Sequence, residues 1–177
     1  MNYHTTVDSP IGTITLIADD EALVEVRFPK EGWRVDGAVP DPDHPVLRQA
    51  AQELTEYFDG QRTDFDVPLD PRGTAFQLSA WEALRTIPYG QTVSYGEQAK
   101  RLGVVGKARA VGAANGRNPL PIIVPCHRVI GSNGHLTGFG GGIESKAWLL
   151  DHERSVLTAM SDAAPTRPVH RLQQRRP

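Results

Sequence analysis

Short apolar runs separated by turn residues fill the first third of the chain. Tyr3–Val7, Thr13–Ala18 and Leu23–Phe28 are rich in Val, Ile, Leu and Thr, as strands with a buried face are. Asp8-Ser9-Pro10-Ile11-Gly12 and Asp19-Asp20-Glu21 lie between them with the chemistry of turns. The spacing predicts an antiparallel meander, followed by a loop over Pro29 to Pro42. The period then lengthens. Leu47, Ala50, Ala51, Leu54, Tyr57 and Phe58 share one helical face behind Pro45, and Gly60 stops the helix. Thr63–Val67 is expected to form one more strand.

Pro68-Leu69-Asp70-Pro71-Arg72-Gly73 breaks both kinds of regular structure. It divides an α/β domain over residues 1–70 from a mainly helical domain over 71–158, with a flexible basic tail over 159–177. In the second domain Thr74 and Gln77 form a capping box. The helix behind it has Phe76, Ala80, Ala83, Leu84 and Ile87 as its buried stripe, and Phe76 and Trp81 read as core. Ser94 and Glu97 form a second box, which opens a short helix over Tyr95–Leu102. After Gly103 and the turn Val104-Val105-Gly106, another helix runs from about Lys107 to Asn115. Two short helices around a glycine turn make the helix-turn-helix pattern, although many helical hairpins bind nothing. Ala108, Ala110, Gly112, Ala113 and Ala114 leave the second helix almost without bulk, which suits tight packing or close approach to a surface, with Arg109 projecting alone. A last helix is expected over Ile143–Glu153, and the apolar pattern fades from Ser155.

Charge changes the picture. The net of −2 over 177 residues argues against a polyanion partner, but the distribution does not. Residues 1–70 hold 5 basic and 15 acidic side chains, a net of −10, whereas residues 85–128 carry a net of +6. A polyanion is repelled by the first part and drawn to the second. No apolar run is long enough to span a bilayer, and the N-terminus has no secretory pattern. A cytosolic protein without a membrane role is the expectation.

The chain has one cysteine, so neither a disulfide nor a Cys-based zinc cluster is available. A lone Cys is commonly a small buried hydrophobe. This one sits in Pro121-Ile122-Ile123-Val124-Pro125-Cys126-His127-Arg128-Val129-Ile130, where two prolines fix the backbone. Only a thiolate is a strong nucleophile, and a thiol near its ordinary pKa needs a base. His127 is the candidate, directly or through a bridging water. Glu153, or less favourably Asp151, is the candidate to orient its ring. The same three groups would also serve a thiol hydrolase.

Pro125-Cys126-His127-Arg128-Val129 resembles the active-site signature of the O6-alkylguanine-DNA alkyltransferases. Ser94-Tyr95-Gly96-Glu97, Ala108-Arg109-Ala110-Val111-Gly112, Asn118-Pro119, Gly141-Gly142 and Lys146 to Glu153 stand where that family has its other motifs. The resemblance is strong from about Gly73 to Glu153 and looser before residue 70.

It implies an α+β fold: a ribonuclease-H-like first domain with an antiparallel sheet, and a helical second domain with a winged-helix-like helix-turn-helix. It also implies direct-reversal repair, in which an alkyl group leaves O6 of guanine, or O4 of thymine, for Cys126 once and irreversibly. The partner is double-stranded DNA carrying an alkylated base. The protein is expected to be monomeric in solution, with cooperative assembly on DNA left open, and to need no cofactor or metal.

By resemblance Cys126 is the acceptor, with His127 and Glu153 as its relay and Asn118 as a hinge. Arg109 is the finger that fills the gap left by a flipped base, and Tyr95 crowds the 3′ phosphate. Thr92, Ser94, Lys107, Ala108, Ala110, Gly112, Ala113 and Arg128 complete the DNA face. Val124, Pro125, Val129, Ile130, Phe139, Gly140 and Gly141 are expected to line the base pocket. Phe139 is a departure, because members of the family usually carry Tyr there, and its phenol is a donor toward the leaving oxygen.

Overall fold

The computed structural model describes residues 1–30, 34–139 and 141–163. Its first domain is a four-stranded sheet covered by one helix. Strands β1 (Asn2–Val7), β2 (Ile14–Ala18) and β3 (Leu23–Arg27) form the antiparallel meander. The segment expected to be all loop contains β4 (Ala38–Pro40), which pairs parallel to β1 and gives the sheet order β3-β2-β1-β4. Helix α1 (Pro45–Phe58) begins with Pro45, and Nδ1 of His44 accepts from the Val46 amide as its cap. Leu47, Ala50, Leu54 and Tyr57 along one face of α1, together with Ile14, Leu16 and Leu23 of the sheet, are all fully buried core residues.

Residues 63–67 do not form the expected strand. Glu53, buried on α1, accepts from the amides of Asp66 and Val67 at 2.9 and 3.1 Å. A side chain therefore takes the donors that a neighbouring strand would have bonded. The segment after it runs beside β3 instead: Leu23 donates to Pro68 and Asp70 donates to Leu23.

The second domain is built from four helices and a two-stranded ladder. The capping box of Thr74 and Gln77 opens α2 (Ala75–Leu84). Its buried residues are Ala80, Trp81 and Leu84, while Phe76, expected in the core, is 38% exposed. Ala80, Leu84 and Ile87 of the expected stripe are buried, and only its first member fails, because the residues at the cap end of the helix are exposed. Strand β5 (Val93–Ser94) leads into α3 (Tyr95–Arg101), and α4 (Ala108–Gly116) follows the turn. These two helices are fastened by a buried amide pair, Gln98 to Asn115 at 3.0 Å and Asn115 to Gln98 at 2.7 Å. Trp81 on α2 donates to the Ala114 carbonyl at 2.8 Å. A single 3-10 turn over Cys126–Arg128 precedes β6 (Val129–Ile130), which pairs parallel to β5. The final helix, α5 (Ile143–Ala163), runs ten residues past Glu153, so the expected tail boundary at 158/159 falls inside it. The rest of that tail, residues 164–177, lies outside the described residues. None of the described helices is long and apolar enough to cross a membrane.

Candidate active site

Cys126 is presented by a loop tied at both ends. The Asn118 side chain accepts from the Leu120 amide at 2.9 Å and donates to the Val124 carbonyl at 2.8 Å. Val124 donates back to Leu120, and Ile122 at the crest is held at a φ of 75°. That conformation is unfavourable for a β-branched residue and persists only where the surroundings impose it. Pro125 then sits at φ −82° and ψ 67°, with the Cys126 amide donating to Val124. This is an inverse γ-turn. Two prolines and one asparagine thus fix the cysteine's backbone before its side chain makes any contact.

The thiol is 8% exposed and faces a cleft of about 550 Å³. Asn115, Asn118, Pro121, Phe139 and Gly141 line one side, and Val26 to Lys30 of the first domain line the other. The ring of Phe28 meets Phe139 edge-on at 5.3 Å. A Cβ on Gly141 would lie 2.8 Å from the Phe28 ring, so only glycine lets the loop approach this closely. Burial pushes the Cys126 thiol up to about 11, against smaller opposing effects of the Asn118 hydrogen bond and the Lys146 charge. A thiol in that range is almost wholly protonated at neutral pH.

His127 is fully buried, with Nε2 2.6 Å from Oε2 of Glu153. Burial opposes ionisation of Glu153, but His127 and Arg128 outweigh it and hold the carboxyl well below the ordinary range. The ionised carboxylate can only accept, so Nε2 carries the ring proton. Nδ1 is buried, has no hydrogen-bond partner and keeps a lone pair. Burial lowers the His127 pKa, the Glu153 contact opposing it. A neutral imidazole with one open nitrogen is therefore next to the thiol in sequence.

Arg128 does not belong to a DNA-contacting face. It is 6% exposed, forks onto both oxygens of Glu153 at 2.9 and 3.0 Å and donates to the Ile87 carbonyl at 2.8 Å. The guanidinium is spent on burying the carboxylate's charge. Asp151 is exposed on the other face of α5 and pairs with Arg154, which removes it as a partner for His127. Val124 and Val129 are core residues, and the Pro125 ring lines a separate small cavity beside Thr63 and Phe65. None of the three is among the cleft's lining residues. Ile130 is half-buried in β6, and Gly140 lies outside the described residues.

A second, shallower depression of about 330 Å³ lies between α3, α4 and the loop before α5, lined by Tyr95, Ala108, Arg109, Gly112, Thr137 and Gly138. Arg109, Lys107, Ala110, Ala113 and Thr92 are exposed, whereas the Ser94 hydroxyl caps α3 by accepting from Glu97. Two residues missed by pattern reading hold the region together. Lys146 is buried and donates to the Val129 and Thr137 carbonyls at 2.6 and 2.8 Å. Tyr57 of the first domain donates to Glu153 at 2.7 Å. Nothing in their spacing gave either away, although a lysine within an otherwise apolar helical face was a signal.

Comparison with known proteins agrees with this arrangement. Residues 2–71 match the family described as 6-O-methylguanine DNA methyltransferase, ribonuclease-like domain, and residues 75–155 match its DNA binding domain. The methylated-DNA–protein-cysteine methyltransferase of Mycobacterium tuberculosis is 50% identical over 155 residues, covering 88% of this chain and 94% of its own. The constitutive enzyme of Bacillus subtilis is 45% identical over 160 residues, covering 87% and 96%. The crystal structure of Mycobacterium tuberculosis OGT in complex with DNA superposes with a TM-score of 0.82 at 51% identity, over 87% of this chain and 94% of that one.

Proposed function

The chain belongs to the methylated-DNA–protein-cysteine methyltransferase family, and from that premise we propose that it repairs DNA by moving an alkyl group from O6 of guanine to its own Cys126. The observation that carries the assignment is one cysteine in a cleft, followed directly in sequence by a histidine whose Nε2 is bonded to a buried carboxylate and whose Nδ1 is open. The thiol proton passes to Nδ1, directly or through one water, and Glu153 stabilises the imidazolium. The thiolate attacks the alkyl carbon, the carbon–oxygen bond breaks, and its electron pair stays on the guanine oxygen. The product thioether has no leaving group and no second step releases it, so each protein acts once.

An alkyl carbon inside a duplex is out of reach, so the base must leave the stack. The depression at Tyr95, Ala108, Arg109 and Gly112 suits that task. A helix of small residues approaches the minor groove closely, and Arg109 is free to occupy the vacated position. O4 of alkylated thymine is open to the same attack. The site of action is the compartment that holds the DNA, the cytoplasm in a cell without a nucleus.

Stoichiometry tests the reading. With duplex carrying O6-methylguanine in excess, repaired base should rise to one equivalent per protein and stop. Continued turnover would contradict irreversible transfer, and catalytic hydrolysis of a peptide or ester substrate by Cys126 would instead establish a thiol hydrolase.

A further inference from the structure

The Glu153 carboxylate accepts from five donors: His127 Nε2, Arg128 Nε and Nη2, the Gly90 amide and the Tyr57 hydroxyl. Four come from the second domain. The fifth comes from α1 of the first domain, 96 residues away along the chain, and it shares Oε2 with His127. Packing does not call for a hydroxyl at this place. The Tyr57 ring already lies edge-on to Phe58 and Tyr89, at 5.3 and 6.1 Å, and tilted against Phe65 at 5.7 Å, contacts that phenylalanine would make equally well. A fully buried hydroxyl is unfavourable unless an acceptor meets it.

We propose that Tyr57 is a positioning residue for alkyl transfer: sharing Oε2 with His127, and acting with Arg128, it draws off enough of the carboxylate's charge that His127 stays neutral, Nε2–H toward Glu153 and Nδ1 open to the Cys126 proton. The proposal rests on the alkyl-transfer reading. A bare buried carboxylate 2.6 Å from the ring would hold it as imidazolium, which has no lone pair for a thiol proton. The charged groups acting on His127 are Glu153 and Lys146 from α5 and Arg128 from its own turn. Lys146 and Arg128 oppose a second positive charge, and Tyr57 adds the neutral donor that fixes the carboxylate from the far side. Burial, and then the charge of Glu153, push the Tyr57 phenol well above its ordinary value, so it carries its proton at any working pH and always donates.

The test is Tyr57→Phe, with alkylation of Cys126 by free O6-benzylguanine followed by intact mass across pH and the His127 ring titrated by NMR. The free base removes DNA binding from the measurement. Loss of one hydrogen bond to a charged group should raise the pH at which His127 takes its proton, and with it the acid limb of the rate, by about one pH unit. DNA affinity should stay as it was. Site-specific 3-fluorotyrosine at position 57, a stronger donor of nearly the same shape, should move the limb the other way, and it keeps the proposal open to refutation should Tyr57→Phe not fold. An unshifted limb in folded Tyr57→Phe, or a limb that moves upward with both replacements, overturns the role. If the unaltered protein gains no benzyl group, the alkyl-transfer reading fails and the proposal falls with it. Benzylation of the unaltered protein beside an unshifted variant removes the role of Tyr57 alone.

Discussion

At the scale of single residues the site combines a thiol that resists ionisation with a base prepared to help it. Burial raises Cys126 to about 11, so a variant without a base should make thiolate only by direct ionisation. His127→Gln should therefore alkylate slowly at neutral pH, with a rate that climbs about tenfold per pH unit toward the thiol pKa. The unaltered protein should reach its plateau at much lower pH. Superimposable rate profiles for the two proteins, with free O6-benzylguanine, would take His127 out of the mechanism. Phe139 raises a different question. It lines the cleft and packs on Phe28, and it offers no donor to the oxygen that gains charge as the alkyl bond breaks. Donors aimed at such an oxygen are worth ~10²–10³ in rate at other sites. Phe139→Tyr should accelerate single-turnover repair of O6-methylguanine several-fold, and benzyl transfer less. A folded Phe139→Tyr that is no faster with methyl would mean that the missing phenol does not limit the reaction.

At the scale of elements, α4 and the loop before Cys126 do separate jobs. Arg109 stands exposed on α4 in the depression away from the thiol's cleft, so Arg109→Ala should slow duplex repair by tenfold or more while leaving reaction with the free base near its native rate. The magnitude follows from unstacking, about a few kcal/mol that the arginine helps to offset. Equal losses with both substrates would instead place Arg109 in the pocket or in folding. Much of this was legible in the sequence, and the exceptions have physical causes. Capping boxes, glycine stops and apolar periods located the five α-helices among the described residues, because those signals are local, but not the 3-10 turn at Cys126–Arg128 or the far end of α5. The Cys126 loop was legible because Pro121, Pro125 and Asn118 constrain their own backbone. Residues 63–67 were misread as a strand because Glu53, more than ten positions away, takes their amides. Arg128 was misread as a DNA contact for the same reason. A basic residue beside a reactive cysteine looks like a phosphate ligand until the buried carboxylate that it neutralises is seen. Tyr57 fitted the α1 stripe as an ordinary core residue, and nothing local marks its hydroxyl.

At the scale of the whole molecule, the two domains meet at the reacting centre. β3 donates through Val26 to Pro119 beside Asn118, Phe28 walls the cleft, and Tyr57 reaches Glu153. Folding and chemistry therefore share titratable groups, and stability should depend on pH in a set way. His127 is held below its ordinary value, so the unfolded chain binds that proton more readily and stability falls as pH drops below about 6.5. Glu153, also held low, adds a further loss as pH falls below about 4.3. Cys126 is raised, so the thiol contributes stability that is lost as pH rises from 9.0 toward about 11. Denaturation curves taken across pH should show both limbs, and Cys126→Ser should flatten the alkaline one; an unchanged alkaline limb would assign it to another group. The central claim is that Cys126 itself receives the alkyl group. Its most direct test is intact and peptide mass after mixing the protein with duplex DNA carrying one O6-methylguanine. The account predicts a gain of one methyl group, confined to the peptide containing Cys126, together with restored guanine in the DNA, and neither change with Cys126→Ser. Repair without a mass gain, or a methyl group carried on any other residue, would contradict it.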